Sequence, residues 1–292
     1  MNAQLPQNDA RGNEEIIAAA LAPSCEPDSD EYWSAVRILQ HRIEMPLIDR
    51  MRELIVHPDE RHRILATDVI AQGRAKEKEL SRVCVKLLLE VLNRERSPQV
   101  LSAICNALGH HESADATGPL SELQSHPDEN VRLAVVHGLS CQDDPIAVAS
   151  LISLSVDSDR DVRNWATFGL GSMTSVDSSA LREALLARIK EPDEEISGEA
   201  LVGLALRGDT RVALPLLEAI NALHESQSGF GTLITDAVEA SRVAAAKTPD
   251  DTWKPLLARC DELGLSKQIE QSPDGSCTPL TPDILSPPCA LE

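Results

Sequence analysis

The stretch HPDENVRLAVVHGL, residues 126–139, returns as SDRDVRNWATFGL at residues 158–170. Val131-Arg132 and Gly138-Leu139 recur 31 residues later as Val162-Arg163 and Gly169-Leu170, and EPDEEISGEALVGL (191–204) repeats the pattern 34 residues further on with Ile196 and Gly203-Leu204. Backwards along the chain, SPQVLSAICNALGH (97–110) supplies Val100, Ala103 and Leu108, and HPDERHR (57–63) matches HPDENVR at five of seven positions. A unit this short cannot bury an apolar face alone. Repetition at a drifting period of about 30 to 40 residues therefore demands a stack, in which each unit covers the next.

Each unit reads as a pair of helices. An apolar first helix (45–56, 80–92, 119–124, 146–154, 180–189, 212–223) runs into a Pro/Asp turn, where Asp128, Asp159 and Asp193 are placed to accept the first-turn amides of the next helix. The second helix carries apolar residues at offsets 0, 3, 4 and 8 (Val131, Ala134, Val135 and Leu139), which share one face. Gly109, Gly138, Gly171 and Gly208 lie near the second-helix ends, where close backbone approach or a left-handed cap is needed. Residues 28–42 read as an N-terminal capping helix, and residues 232–246 and 250–264 as the helices that close the other end.

This pattern resembles the HEAT repeats, in particular the PBS-lyase HEAT-like subclass, over roughly residues 30–245, with DVRNWATFGLGSM (161–173) the most typical stretch. The resemblance implies an all-α fold, a right-handed α-solenoid (superhelix) of about six HEAT-type helical hairpins. It also implies a polar ladder in which an acid six residues before the second-helix arginine links neighbouring repeats. Asp157 stands so before Arg163, but His126 and His57 take that place before Arg132 and Arg63, and Ser197 replaces the arginine after Glu191, so the ladder is expected to be incomplete.

Composition narrows the function classes. Aromatic residues make up only 2 % of the chain, which suits thin layers packed with Leu, Ala, Val and Ile. The net charge is −20; residues 1–31 hold seven acids and one arginine and residues 265–292 four acids and one lysine, so most of the acidity lies between them. Phosphate backbones and anionic lipid require clustered Lys and Arg, so neither nucleic acid nor membrane is an expected partner. The seven cysteines have no C-x-x-C spacing, no basic region precedes an apolar stretch at the N-terminus, and no run of about 18 apolar residues occurs. The expectation is a soluble, cytoplasmic protein, with residues 1–27 a mobile N-terminal tail, 28–264 the solenoid and 265–292 a Pro-rich mobile C-terminal tail.

Chemistry is sparse. There is no phosphate-binding glycine loop, no G-x-S-x-G and no H-E-x-x-H. The resemblance raises three enzyme readings. A bilin lyase needs a paired subunit and a pocket that no motif marks here. A di-iron hydroxylase needs several equivalent His-Glu pairs, whereas His111-Glu112 and His224-Glu225 are two, at non-equivalent helix ends, where they read as solvated. A DNA glycosylase needs a basic aromatic face. His57 and His126 occupy the same turn position about two repeats apart, too far to share a metal ion when layers are spaced by about 10 Å, and read as turn-capping residues. No catalytic residue, metal site or cofactor is expected.

A partner surface is the remaining role. On the helix over 160–171, Val162, Trp165, Ala166, Gly169 and Leu170 take the buried offsets and Arg163, Asn164, Thr167 and Phe168 the opposite face. His137, Phe168 and Val202 share one offset in successive repeats, which predicts a partner-binding groove centred on them and flanked by Arg132, Arg163 and Asn164. The expected function is a non-catalytic protein-binding scaffold. An inhibitor or immunity-type protein that neutralises a basic protein, and an accessory lyase or hydroxylase subunit, are the alternatives.

Overall fold

In a computed structural model, residues 9–71, 78–227, 229, 231–248 and 250–265 are described, and every regular element among them is helical. The chain divides into two compact units, Met1–Leu139 and Ser140–Glu292. The first holds the pairs α1 (Asn13–Ala20) and α2 (Asp30–His41), α3 (Met45–Leu54) and α4 (Glu60–Ile70), α5 (Lys78–Leu92) and α6 (Pro98–His111), and α7 (Ala114–Glu122) and α8 (Glu129–Ser140). The second holds α9 (Pro145–Leu154) and α10 (Arg160–Phe168), α11 (Ser179–Arg188) and α12 (Glu194–Leu206), α13 (Ala213–Glu225) and α14 (Thr232–Lys247), and closes on α15 (Lys254–Glu262). Within each unit second helices pack on second helices: α4 against α2 and α6, and α12 against α10 and α14. The pairs from α3 to α14 are the six expected hairpins of a HEAT-like repeat solenoid.

The turns explain why one short motif builds every pair. Asp59, Asp128, Asp159 and Asp193 each accept the amide two residues on, at 2.9–3.0 Å, and so start the second helix. Before them, His57 and His126 accept the amides of Asp59 and Asp128 through Nδ1 (3.0 and 3.2 Å), and Asp157 accepts that of Asp159 (2.8 Å). The two histidines are turn caps, as their spacing suggests. Arg63, Arg132 and Arg163 donate to the main-chain carbonyls of His57, His126 and Asp157 at 2.9, 2.9 and 2.8 Å. The arginine thus grips backbone six residues upstream, which is why a histidine can stand where the ladder expects an acid.

Glycines set how closely the second helices approach. A Cβ on Gly109 would lie 2.8 Å from Gly138 Cα, and a Cβ on Gly203 would lie 2.5 Å from Gly171 Cα. Gly208, at φ +62, ends α12 in the left-handed region that favours glycine. Gly171 sits in a π-helical turn, Gly169–Met173, that continues α10. Its carbonyls are collected by Arg207, which donates to Leu170 (2.8 Å), Gly171 (2.7 Å) and Thr174 (3.0 Å), and to Val176 (3.2 Å) and Gly203 (2.9 Å). Burial pushes the Arg207 pKa down, yet guanidinium stays charged in proteins.

Three expectations are corrected. Residues 9–27 do not form a detached tail: Ile16, Ile17 and Ala20 of α1 are buried, Arg42 donates to the carbonyls of Asp9 and Arg11, and Arg61 to that of Cys25 (2.6 Å). The apolar pair in NEEIIAAA gives the segment a face to bury, and two arginines of the body hold its backbone. Residues 1–8 and 266–292, where the rest of the expected tails falls, lie outside the described residues. The helix expected from Pro119 starts at Ala114, because Ala116 and Thr117 also have a buried side to satisfy. His111 is buried at the end of α6, with Nε2 3.0 Å from the Ile70 carbonyl and Nδ1 3.0 Å from Ser81 Oγ, and so pins α6 to its neighbours instead of facing water.

One half-buried acid is expected to give the second unit a pH dependence. Glu199 in α12 is pushed up to about 7, first by burial and then by the nearby charges of Glu195 and Asp236. A carboxyl whose folded pKa lies above its unfolded value contributes stability at low pH that is lost as pH rises from about 4.5 through about 7. Glu199→Gln is therefore expected to raise the unfolding free energy at pH 8 by about 1–3 kcal/mol and to leave it nearly unchanged at pH 4. Urea titrations at the two pH values measure this, and an equal effect at both would remove Glu199 as the cause.

Candidate functional site

In the first unit the second helices enclose a pocket of about 500 Å³. Its walls come from the α1 end and the following turn (Ala20, Leu21, Pro27, Asp28), from α2 (Tyr32, Trp33), from α4 (Glu60, Arg61, Ile64, Asp68), from α6 (Gln99, Ser102, Ala103, Asn106) and from the start of α8 (Asp128, Asn130). The contributions at 61, 64 and 68 and at 99, 102, 103 and 106 follow one helical face, so the pocket is a direct product of stacking equivalent faces. Its volume falls within the range of ordinary ligand sites.

Asp68 is the chemical centre. Tyr32 Oη donates to Asp68 Oδ2 at 2.6 Å, and Gln40 donates to the Asp68 carbonyl at 2.8 Å. Burial, with the Asp28 charge adding to it and the Tyr32 hydrogen bond opposing, pushes the Asp68 carboxyl up to about 7. The Tyr32 hydroxyl is raised in turn by burial and by Asp68, and remains a donor. Trp33 meets the Tyr32 ring edge-on at 5.4 Å and is itself half-buried. Arg61, a cation in the lining, spends its Nη2 on the carbonyls of Cys25 and Ala22 (2.6 and 3.4 Å), which fixes the N-terminal wall.

The groove expected from sequence does not assemble as drawn. In the first unit, Arg132 is engaged with its own turn, and His137 lies with Nδ1 3.3 Å from Asn106 Oδ1; burial, with His110 adding to it, pushes its pKa down to about 4, so the ring is neutral. In the second unit, Arg163 holds its turn, while Phe168 is half-buried and edge-on to Trp165 at 5.7 Å. Asn164 and Val202, each 8 % exposed, are buried, and so is Thr167, whose hydroxyl donates to the Arg163 carbonyl. Val202 is covered because α12 is enclosed by α10, α11 and α14. Trp165, expected in the core, is only half-buried.

The same offset continues into the earlier repeats of the first unit. Counting six residues from Val131, Val162 and Ile196 gives His137, Phe168 and Val202; the same count from Val100 gives Asn106, and from His62 gives Asp68. The last two line the pocket. Tyr32 and Trp33 were hidden by the reading of 28–42 as a mere cap, although adjacent aromatics in a chain with so few were a usable clue. Among the described residues, no three His, Cys, Asp or Glu side chains are grouped to hold a metal ion, and no helix is long and apolar enough to cross a membrane.

Comparison with known proteins agrees with this architecture. Residues 85–171 match the family model of HEAT repeats. Protein YibA of Escherichia coli (strain K12) is 31 % identical over 128 residues, a stretch that spans 44 % of this chain and 41 % of YibA. The X-ray structure of E. coli YibA superposes with a TM-score of 0.64 at 19 % identity, covering 88 % of this chain and 93 % of that one. The crystal structure of an engineered protein superposes with a TM-score of 0.51 at 17 % identity, over 84 % and 71 % of the two chains. At these identities the structural likenesses show the fold alone.

Proposed function

We propose that the chain is a non-catalytic protein-binding scaffold in the cytoplasm, and that it presents the inner pocket of its first unit to a protein with a basic surface. The observation that carries this reading is the pocket itself, assembled at equivalent positions of successive second helices and edged by acids. HEAT-type stacking gives a long surface from a small repeated unit, which suits recognition of another protein. The buried Cys84, Cys105 and Cys260 serve as small hydrophobes, in keeping with a reducing compartment. A partner neutralised by this acidic face, as an inhibitor or immunity-type protein would do, is the narrower form of the same reading.

Ala103 lines the pocket and is half-buried, so Ala103→Trp fills it from α6 without touching a charge. Affinity capture from the native host with the wild-type chain and this variant, followed by mass spectrometry, is expected to lose at least one specific protein with the variant. If both capture the same set while the variant keeps its helicity, the partner surface lies elsewhere.

A further inference from the structure

The pocket's chemistry selects the kind of group that enters it, and this step rests on the scaffold reading above. Four carboxylates line it (Asp28, Glu60, Asp68 and Asp128), while the Arg61 guanidinium there is turned onto main-chain carbonyls. Asp68 uses Oδ2 for Tyr32, and among the described residues no donor reaches its Oδ1. A half-buried carboxylate with one oxygen free of protein donors gains from a donor that reaches it. The same lining holds the half-buried indole of Trp33, an aromatic surface of the sort that attracts cations and covers alkyl stems.

We propose that this pocket takes the side chain of an arginine or lysine projected from a basic segment of a protein partner, its cationic head on Asp68 Oδ1 and its stem along Trp33. An anionic group would meet the four carboxylates, and a neutral apolar one would seal Asp68 away from water without a donor. A cation restores what burial removes. It also favours the ionised form of a carboxyl poised about 7, with Asp28, Glu60, Arg61 and Asp128 as the other charged groups of the lining. Affinity is thus expected to rise between pH 6 and pH 8 as Asp68 gives up its proton.

The test uses a fluorescein-labelled octapeptide with two central arginines, and the same peptide with citrulline, the uncharged isostere, in their place. Fluorescence anisotropy with the full chain is expected to show binding of the first only. Asp68→Asn keeps the shape and an acceptor for Tyr32 and should weaken binding roughly tenfold, with Trp33→Leu also weakening it. Glu194→Gln removes one exposed acid of the second unit and should change affinity less than twofold, since a single distant surface charge is screened. Equal losses for Asp68→Asn and Glu194→Gln, equal binding of the citrulline peptide, or no binding by the wild type would overturn the proposal. The scaffold reading fails separately: it falls if Ala103→Trp keeps every captured protein, and it stands without a cation site if Ala103→Trp loses a partner that Asp68→Asn retains.

Discussion

Gly203→Ala is expected to lower the unfolding free energy of the second unit by about 1–3 kcal/mol, the usual cost of overpacking a filled core. The direction is the informative part. In an ordinary helix interior the same change is favourable by roughly 1 kcal/mol, because alanine loses less backbone freedom than glycine. Here the added methyl carbon would sit 2.5 Å from Gly171 Cα and 2.9 Å from a methyl of Leu185, and the first neighbour is backbone that cannot turn away. The π-helical turn and α12 would have to separate, loosening the packing between them. Gly109→Ala poses the same problem in the first unit, against Gly138 Cα at 2.8 Å. Urea unfolding of the two variants measures the effect; a midpoint equal to or above that of the wild type would mean that the second helices are not in such close contact.

Arg207→Met is expected to cost more, on the order of 3–5 kcal/mol, the range for leaving buried partners of a charged group unsatisfied. The variant keeps most of the stem but abandons five carbonyls, three of which end the π-helical turn. Those carbonyls have lost the regular i→i+4 pattern and have few other donors to turn to. Arg207→Lys should recover only part of the loss, since an ammonium on a single nitrogen cannot span acceptors drawn from both the turn and α12. Hydrogen exchange should localise the damage, with amides of the π-helical turn and α12 losing protection before those of α14. Uniform loss along the chain, or full rescue by lysine, would contradict this role.

The sequence made the helix pairs legible because a Pro/Asp turn is local chemistry. Asp128, Asp159 and Asp193 cap amides two residues away, so their function needs no knowledge of the fold. The rotation of a helix about its axis was harder to read. Asn164 and Thr167 are polar and seemed to face water, but Thr167 satisfies its hydroxyl on the Arg163 carbonyl and can be buried cheaply. Asn164 is buried with Oδ1 lacking a hydrogen-bond partner, which no periodicity rule would predict. The pocket was illegible for another reason: Tyr32 and Asp68 are 36 residues apart, and only the packing of α2 on α4 makes them a pair. The column position is visible in the sequence, but its pocket-lining members, Asp68 and Asn106, lie outside the repeats with the strongest consensus.

The turn arginines carry a broader consequence. Because Arg63, Arg132 and Arg163 hold the carbonyl of the residue six positions back, that grip does not depend on the side chain there, and either an imidazole or a carboxylate can accept the turn's own amide. The start of the second helix is thereby set by main-chain contacts, while Arg63 also reaches Glu95, the acid at the next repeat's turn, at 2.8 Å. A neutral and an acidic residue can therefore occupy the same turn position in different repeats and begin the second helix in the same way.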